Sequence, residues 1–115
     1  MTTALMLTTT RGTDGVPVLT AVGEIDMSNA ETFAAALADA VRPEERLLVV
    51  DLTAVEYLDS AGLAALFRHA DRIEIVAGSL LTPLLTVSGL TELTTVRAAD
   101  PPRVRSCSDT NSNFK

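Results

Sequence analysis

Apolar and polar positions divide this chain into short segments that alternate between strand and helix patterns. Leu5 to Thr10 alternates weakly and predicts a first strand, and Val16 to Val22 predicts a second. The Asp-Gly pair at residues 14 and 15 suits a tight hairpin turn between them. Leu47 to Leu52 is apolar except at Asp51, which is typical of a strand covered on both faces. Two further strands are predicted over Ile73 to Ala77 and over Leu93 to Ala98.

The first helix pattern comes after Gly23-Glu24-Ile25-Asp26, a segment that we expect to lead from the end of the second strand to the helix. Ser28 and Glu31 have the Ser-x-x-Glu spacing of a capping box, in which each side chain satisfies the backbone amide of the other residue. Apolar residues then recur at helical spacing, and Pro43 is predicted to end the helix.

Two more helices are predicted further along the chain. One starts at Asp59-Ser60, and the other opens at Gly78-Ser79 and runs to about Val87. Ser88-Gly89 ends this third helix, because glycine readily adopts the left-handed backbone conformation that commonly follows a helix. The order β-β-α-β-α-β-α-β therefore predicts an α/β fold, with three helices packed against a mixed sheet of about five strands. The expected buried stripe of the second helix is Leu63, Leu66, Phe67 and Ala70.

The length of 115 residues fits one domain, which we place at residues 1–98. Residues 99–115 contain Pro101-Pro102 and then a polar run without periodicity, so we expect a disordered tail. The single cysteine, Cys107, cannot form an internal disulfide. The sequence shows neither a signal peptide nor an apolar run near the ~20 residues of a membrane span. We therefore expect a cytoplasmic protein with no membrane partner.

Charge and aromatic content indicate which classes of partner the protein can bind. The formal charge is −6, and the chain has three Phe, one Tyr and no Trp. Nucleic-acid affinity depends on basic groups and stacking aromatic rings, so direct nucleic-acid binding is not expected. Residues 1–96 hold five Arg against thirteen acids, a balance of −8, whereas residues 97–115 carry +2. An acidic body favours a partner with a basic docking face, or only keeps the protein in solution.

Ser60 is the candidate functional residue because it lies at or beside the start of a helix. Its hydroxyl would then be near unpaired backbone amides and the positive end of the helix dipole. A phosphate attached there would find hydrogen-bond donors and would add about −1.5 to −2 charges without melting the fold. Asp26 and Asp59 would make the surroundings acidic. The simpler interpretation is that Asp59-Ser60 is an ordinary helix cap, Gly62 permits close packing and Asp26 ends a strand.

Catalysis by Ser60 is disfavoured by distance. The one histidine, His69, is nine residues further along the same helix, so it points about 180° away and lies roughly 13 Å off. A serine nucleophile needs a base within hydrogen-bond reach, so His69 is better interpreted as a solvated or capping residue at the helix end. A small enzyme that uses Asp26, Asp59 and Ser60 would need a concave, water-shielded site with a perturbed carboxylate. No phosphate-loop or metal-ligand motif is present in the sequence, so neither cofactor nor metal is expected.

Three segments resemble, in order, the landmarks of the STAS domain family, and within it the stand-alone anti-sigma-factor antagonists of bacteria. They are Gly23 to Asp26, Val49 to Leu63 and Ser88-Gly89-Leu90. The resemblance covers roughly residues 5 to 98 and implies a STAS-like mixed sheet with helices packed against it.

The resemblance implies a non-enzymatic anti-sigma-factor antagonist. When unphosphorylated, such a protein binds an anti-sigma factor of the serine-kinase type and so frees a sigma factor. The kinase phosphorylates the serine that corresponds to Ser60, which releases the antagonist, and a serine phosphatase resets it. The nucleotide belongs to the kinase, so no cofactor is implied here. The implied partner-binding residues are Asp26, Asp59, Ser60, Ala61 and Gly62.

The chain departs from this family in three places. Ala61 stands where many relatives carry Ser or Thr, which leaves Ser60 as the phosphoacceptor. The short connection from Phe67 to Ile73 predicts that the second helix ends early. Pro101-Pro102 argues against the final family helix, so we expect a monomer or weak homodimer. A different STAS role stays open: an interaction subunit of another assembly, such as a stress-signalling scaffold or a transport complex.

Overall fold

The computed structural model describes residues 4–41 and 47–99, which form a mixed five-stranded sheet with helices against it. The strands lie in chain order across the sheet. The first two are antiparallel, and every other neighbouring pair is parallel. The predicted fold class is therefore confirmed. The strands are β1 (Met6–Arg11), β2 (Pro17–Ile25), β3 (Leu48–Leu58), β4 (Ile73–Ala77) and β5 (Thr95–Ala98).

Helices connect the parallel strands. Because such crossovers are right-handed, a sheet whose strands follow chain order carries these helices on one face. Short 3₁₀ helices at Ala70–Arg72 and Leu90–Glu92 complete two of the connections. The α-helices are α1 (Ala30–Ala40), α2 (Ser60–Arg68) and α3 (Thr82–Val87).

The core lies between the sheet and the helices. Leu19, Val50 and Ile75 are aligned across the three central strands and are fully buried. The helices meet this row with large apolar side chains that have no exposed surface. The opposite face of the sheet is only half-buried. The helical side chains with no exposed surface are Phe33, Leu37, Leu66 and Leu85.

Strands β2 and β3 are both longer than the sequence analysis predicted. β2 continues past Val22 to Ile25, and its register with β3 shifts directly after Gly23. Gly23 has φ +113°, a left-handed conformation that glycine adopts without strain, so a bulge there lets the strand continue. β3 continues past Leu52 to Leu58 because its second half still pairs with β2.

The predicted capping box at the start of α1 is wrong. α1 begins at Ala30 with Asn29 as its N-cap residue, so Ser28 lies outside the helix. The amide and the hydroxyl of Ser28 both donate to the Asp26 carboxylate instead. Local hydrogen bonds of this kind compete with helix capping, and here the turn between Asp26 and Ser28 prevails.

The other helix ends are close to the predictions, with one exception. α2 begins at Ser60 and ends at Arg68, and His69 is its C-cap residue, as predicted. Gly89 has φ +90° and follows α3, which confirms its left-handed role. α3 itself begins later than Gly78. The carbonyl of Gly78 accepts hydrogen bonds from the amides of Leu81 and Thr82, which closes a turn before the helix.

Strand β5 begins at Thr95 and not at Leu93, because a 3₁₀ helix and its C-cap occupy the residues before it. The predicted end of α1 at Pro43 lies outside the described residues. So do most of the predicted tail, from residue 100 onward, and the final family helix. Among the residues that are described, no helix is long and apolar enough to cross a membrane.

Candidate functional site

The candidate site lies where β2 and β3 end side by side. Ile25 and Leu58 are the last paired residues of these parallel strands, and Asp26 and Asp59 follow them directly. The Asp59 amide donates to the Ile25 carbonyl at 3.1 Å, which ties the second strand end to the first. Parallel strands present their carboxyl ends at one edge of a sheet, where binding sites are common. The structure therefore brings together the start of α2 and the loop of residues 26–29 that follows β2, here called the Asp26 loop.

Asp59 is the N-cap residue of α2, and Ser60 is the first residue of the helix. One carboxylate oxygen of Asp59 accepts from the Ala61 amide at 3.0 Å and from the Gly62 amide at 3.2 Å. These amides are donors that the sequence analysis expected a phosphate to find. Since Asp59 already occupies them, a phosphate on Ser60 would lie beside this carboxylate and add to its charge.

Ser60 is exposed, and its hydroxyl has no hydrogen-bond partner within residues 4–41 and 47–99. Ala61 is half-buried and Gly62 is buried. Ser60 is thus the accessible side chain of the first turn. An enzyme that modifies hydroxyl groups can reach Ser60 without unfolding the helix.

The Asp26 loop is held by short side-chain contacts. Ser28 donates its hydroxyl and its amide to the Asp26 carboxylate, at 2.5 and 2.9 Å. These hydrogen bonds, the hydroxyl first, lower the pKa of Asp26 below its ordinary value. Asp26 is therefore ionised at neutral pH, and it would lose this charge only as the pH falls through the lowered value.

Asn29 is a site residue that the sequence analysis missed. Its side-chain oxygen accepts from the Asp26 amide at 2.9 Å, and its side-chain nitrogen donates to the Glu24 carbonyl at 2.9 Å. The side chain thus fastens the loop to the end of β2. One available signal was its position directly before the helix, where asparagine is preferred. Its side chain nevertheless makes no capping bond to α1.

Gly62 permits α2 to approach the sheet closely, as the packing interpretation predicted. A Cβ atom at this position would lie 2.4 Å from Leu58 Cδ1 and 2.8 Å from Ile25 Cγ2. Both distances are below ordinary van der Waals contact, and both neighbours belong to the core. The absence of a side chain at Gly62 therefore sets how closely Ser60 lies to the ends of β2 and β3.

Two exposed apolar side chains are close to these acids in the sequence. Met27 is 82% exposed beside Asp26, and Tyr57 is 50% exposed near the end of β3. Met and Tyr are both enriched at protein–protein interfaces relative to the rest of the surface. The site is consequently a surface that combines two carboxylates, Asp26 and Asp59, with exposed apolar groups.

The exposure of Ser60 bears on the small-enzyme hypothesis, which requires a water-shielded site. A cleft of about 540 Å³ lies elsewhere, between α1 and the β1–β2 hairpin, and none of Asp26, Asp59 and Ser60 lines it. His69 lies at the opposite end of α2 from Ser60. Within the described residues, no group of three or more His, Cys, Asp and Glu side chains could hold a metal ion. An exposed Ser60 does not have the water shielding that the small-enzyme hypothesis requires.

We expect Asp59→Ala to lower the free energy of unfolding by about 1 kcal/mol, because loss of an N-cap side chain costs roughly 0.5–2 kcal/mol. Urea denaturation of both proteins measures the difference. Asp39→Ala is the matched control, since Asp39 is exposed on α1 and makes no hydrogen bond in the described structure. An equal loss in the two variants would contradict the capping role.

These features define a small α/β domain with an exposed serine at a helix start, and comparison with known proteins identifies its family. Residues 8–81 match the family model of the STAS domain. The chain belongs to the STAS domain family, as the three sequence landmarks predicted.

Three proteins to which the chain is similar carry related names. It is 40% identical over 60 residues to the anti-sigma-F factor antagonist RsfB of Mycobacterium tuberculosis, covering 52% of this chain and 49% of RsfB. It is 35% identical over 68 residues to the putative anti-sigma factor antagonist BtrV of Bordetella bronchiseptica, covering 59% of each. The chain thus spans about half the length of the curated relatives it matches.

A solved structure extends the likeness to most of the fold. The crystal structure of an anti-sigma factor antagonist from Mycobacterium paratuberculosis superposes with a TM-score of 0.74 at 29% identity. The match covers 82% of this chain and 86% of that protein.

Proposed function

We propose that this protein is an anti-sigma-factor antagonist, which binds an anti-sigma factor and so frees a sigma factor. The names of the similar proteins and of the superposed crystal structure support this function. They favour it over a subunit of a scaffold or transport complex. The single observation that carries the proposal is the exposed Ser60, on the first turn of α2 beside the Asp26 loop.

Phosphorylation of Ser60 is the proposed switch. The partner is the anti-sigma factor, which is itself a kinase: it docks on the unmodified surface and transfers phosphate to the accessible Ser60 hydroxyl. A serine phosphatase later removes the phosphate. The phosphate adds about −1.5 to −2 charges next to Asp59, which already occupies two amides of the first turn. A partner surface fitted to a neutral hydroxyl then loses its contacts, while the fold of the antagonist persists.

The partner surface should complement the site in two respects. It carries basic groups that face Asp26 and Asp59, and it carries an apolar area that receives Met27 and Tyr57. Ala61 and Gly62 contribute by setting how closely the first turn of α2 lies to the sheet. In this proposal the protein is non-enzymatic, acts in the cytoplasm and leaves the nucleotide to the kinase.

The test is to incubate the protein with ATP and the anti-sigma-factor kinase of its own organism, and to map phosphate by mass spectrometry. We expect one phosphate on Ser60 and none on Ser60→Ala. Ser79→Ala, which changes another exposed serine, should be modified as the wild type is. Phosphate incorporation into Ser60→Ala would contradict the assignment of Ser60 as the phosphorylated residue.

A further inference from the structure

Strand β1 forms one edge of the sheet, and within the described residues no strand pairs with its outer side. In an edge strand, alternate residues turn their N–H and C=O groups away from the sheet, where another strand can bind them. Six residues provide roughly 20 Å of such an edge.

The two edges of this sheet differ in their protection. Natural edge strands are blunted by charge, proline, bulges or short length. β5 is only four residues long, and its Arg97 forms an ion pair with Glu74 at 2.7 Å. β1 has no charged residue from Met6 to Thr10, and it pairs with β2 without a register shift. Its three consecutive threonines are β-branched and favour an extended strand.

The surroundings of β1 suit a second copy of the same chain. The protein is acidic, so two copies repel each other over most of their surface. The stretch from residue 4 to residue 10 is free of charge and lets two copies approach. The side of the neighbouring helix α1 that lines the cleft next to β1 carries Ala36, Asp39 and Ala40. Leu7 lines the same cleft from β1, and Arg11 and Asp39 place opposite charges along it.

We propose that two copies associate through antiparallel pairing of their β1 strands, which doubles the five-stranded sheet about a two-fold axis. A two-fold axis brings the uncharged threonine segment against its own copy, so each contact is made twice. Most of the interface is backbone pairing along one short strand, and the dimer is therefore weak and dependent on concentration. Ser60 follows β3, two strands away from this edge, whereas the Asp26 loop follows β2, the strand next to β1.

Sedimentation equilibrium of the full chain tests this pairing. The average mass of the wild type should rise from 12.1 kDa toward twice that value as concentration increases. Thr8→Lys places like charges close together across the axis, and we expect its association constant to fall at least tenfold. Thr95→Lys is the matched control on the β5 edge and should associate as the wild type does.

A charge-reversal mixture separates edge pairing from a general loss of stability. Thr8→Lys mixed with Thr8→Glu should regain association, since opposite charges then face each other, and thermal melts should show that both variants fold. A wild type that stays monomeric up to millimolar concentration overturns the proposal. So does a Thr8→Lys protein that associates like the wild type, or a Thr95→Lys protein that alone dissociates.

Discussion

Ser60→Asp should fold as the wild type does and bind the anti-sigma factor at least tenfold more weakly. A negative charge at the start of a helix is favourable by about 0.3–1 kcal/mol, and repulsion from the adjacent Asp59 offsets part of it. The melting temperature should therefore change little. Binding responds differently, because the new charge lies at the centre of the proposed docking surface. A tenfold loss corresponds to about 1.4 kcal/mol, which isothermal titration calorimetry resolves.

Two control variants distinguish charge from shape in this experiment. Ser60→Asn has nearly the size of Ser60→Asp without its charge, and it should bind more tightly than the aspartate variant. Ser79→Asp adds the same charge at an exposed serine outside the site, and it should bind as the wild type does. Wild-type affinity in Ser60→Asp would contradict the switch. Equal losses in the Asn and Asp variants would show that shape and not charge breaks the complex.

The sequence predicted strand β4 well because its signal is local. Ile73–Ala77 was predicted with its observed bounds, since two short turn-like segments enclose an almost continuous apolar run. The second half of β3 gave no such signal. Its residues from Thr53 to Leu58 include exposed Glu56 and Tyr57, and they are extended because they pair with β2. That pairing is a tertiary contact, and no local pattern reports it.

At the candidate site, the role of a polar residue could be predicted only where the sequence indicated a single hydrogen-bond partner for its side chain. Asp59 had one obvious role, because its carboxylate precedes the free amides of a helix start. Ser28 had two acceptors within reach in the sequence, and the turn to Asp26 prevails over the expected exchange with Glu31. Asn29 bonds to a backbone carbonyl five residues earlier, and such an acceptor carries no side-chain signature.

The relation between the local chemistry and the family likeness is also clearer in the structure. A cap such as Asp59-Ser60 is common at helix starts, so the pair alone indicates little about function. Two further observations make it specific: the amide of Asp59 bonds to the end of β2, and the Asp26 loop is fixed beside it. The proposed phosphate on Ser60 would therefore act on a surface built from two strand ends, and not on an isolated helix.

Close approach of α2 to the sheet makes Gly62→Val the substitution with the largest expected effect on stability. The Cβ atom alone would come within 2.8 Å of Ile25 Cγ2, which is fixed by a branched side chain with no exposed surface. Overpacking of this kind costs about 1–3 kcal/mol, and the better helix propensity of valine offsets only a few tenths. Urea denaturation measures the loss. Ala64→Val, exposed on the same helix, should cost less than about 1 kcal/mol. If both variants were equally stable, α2 would have room to move outward, and Gly62 would not set the position of Ser60.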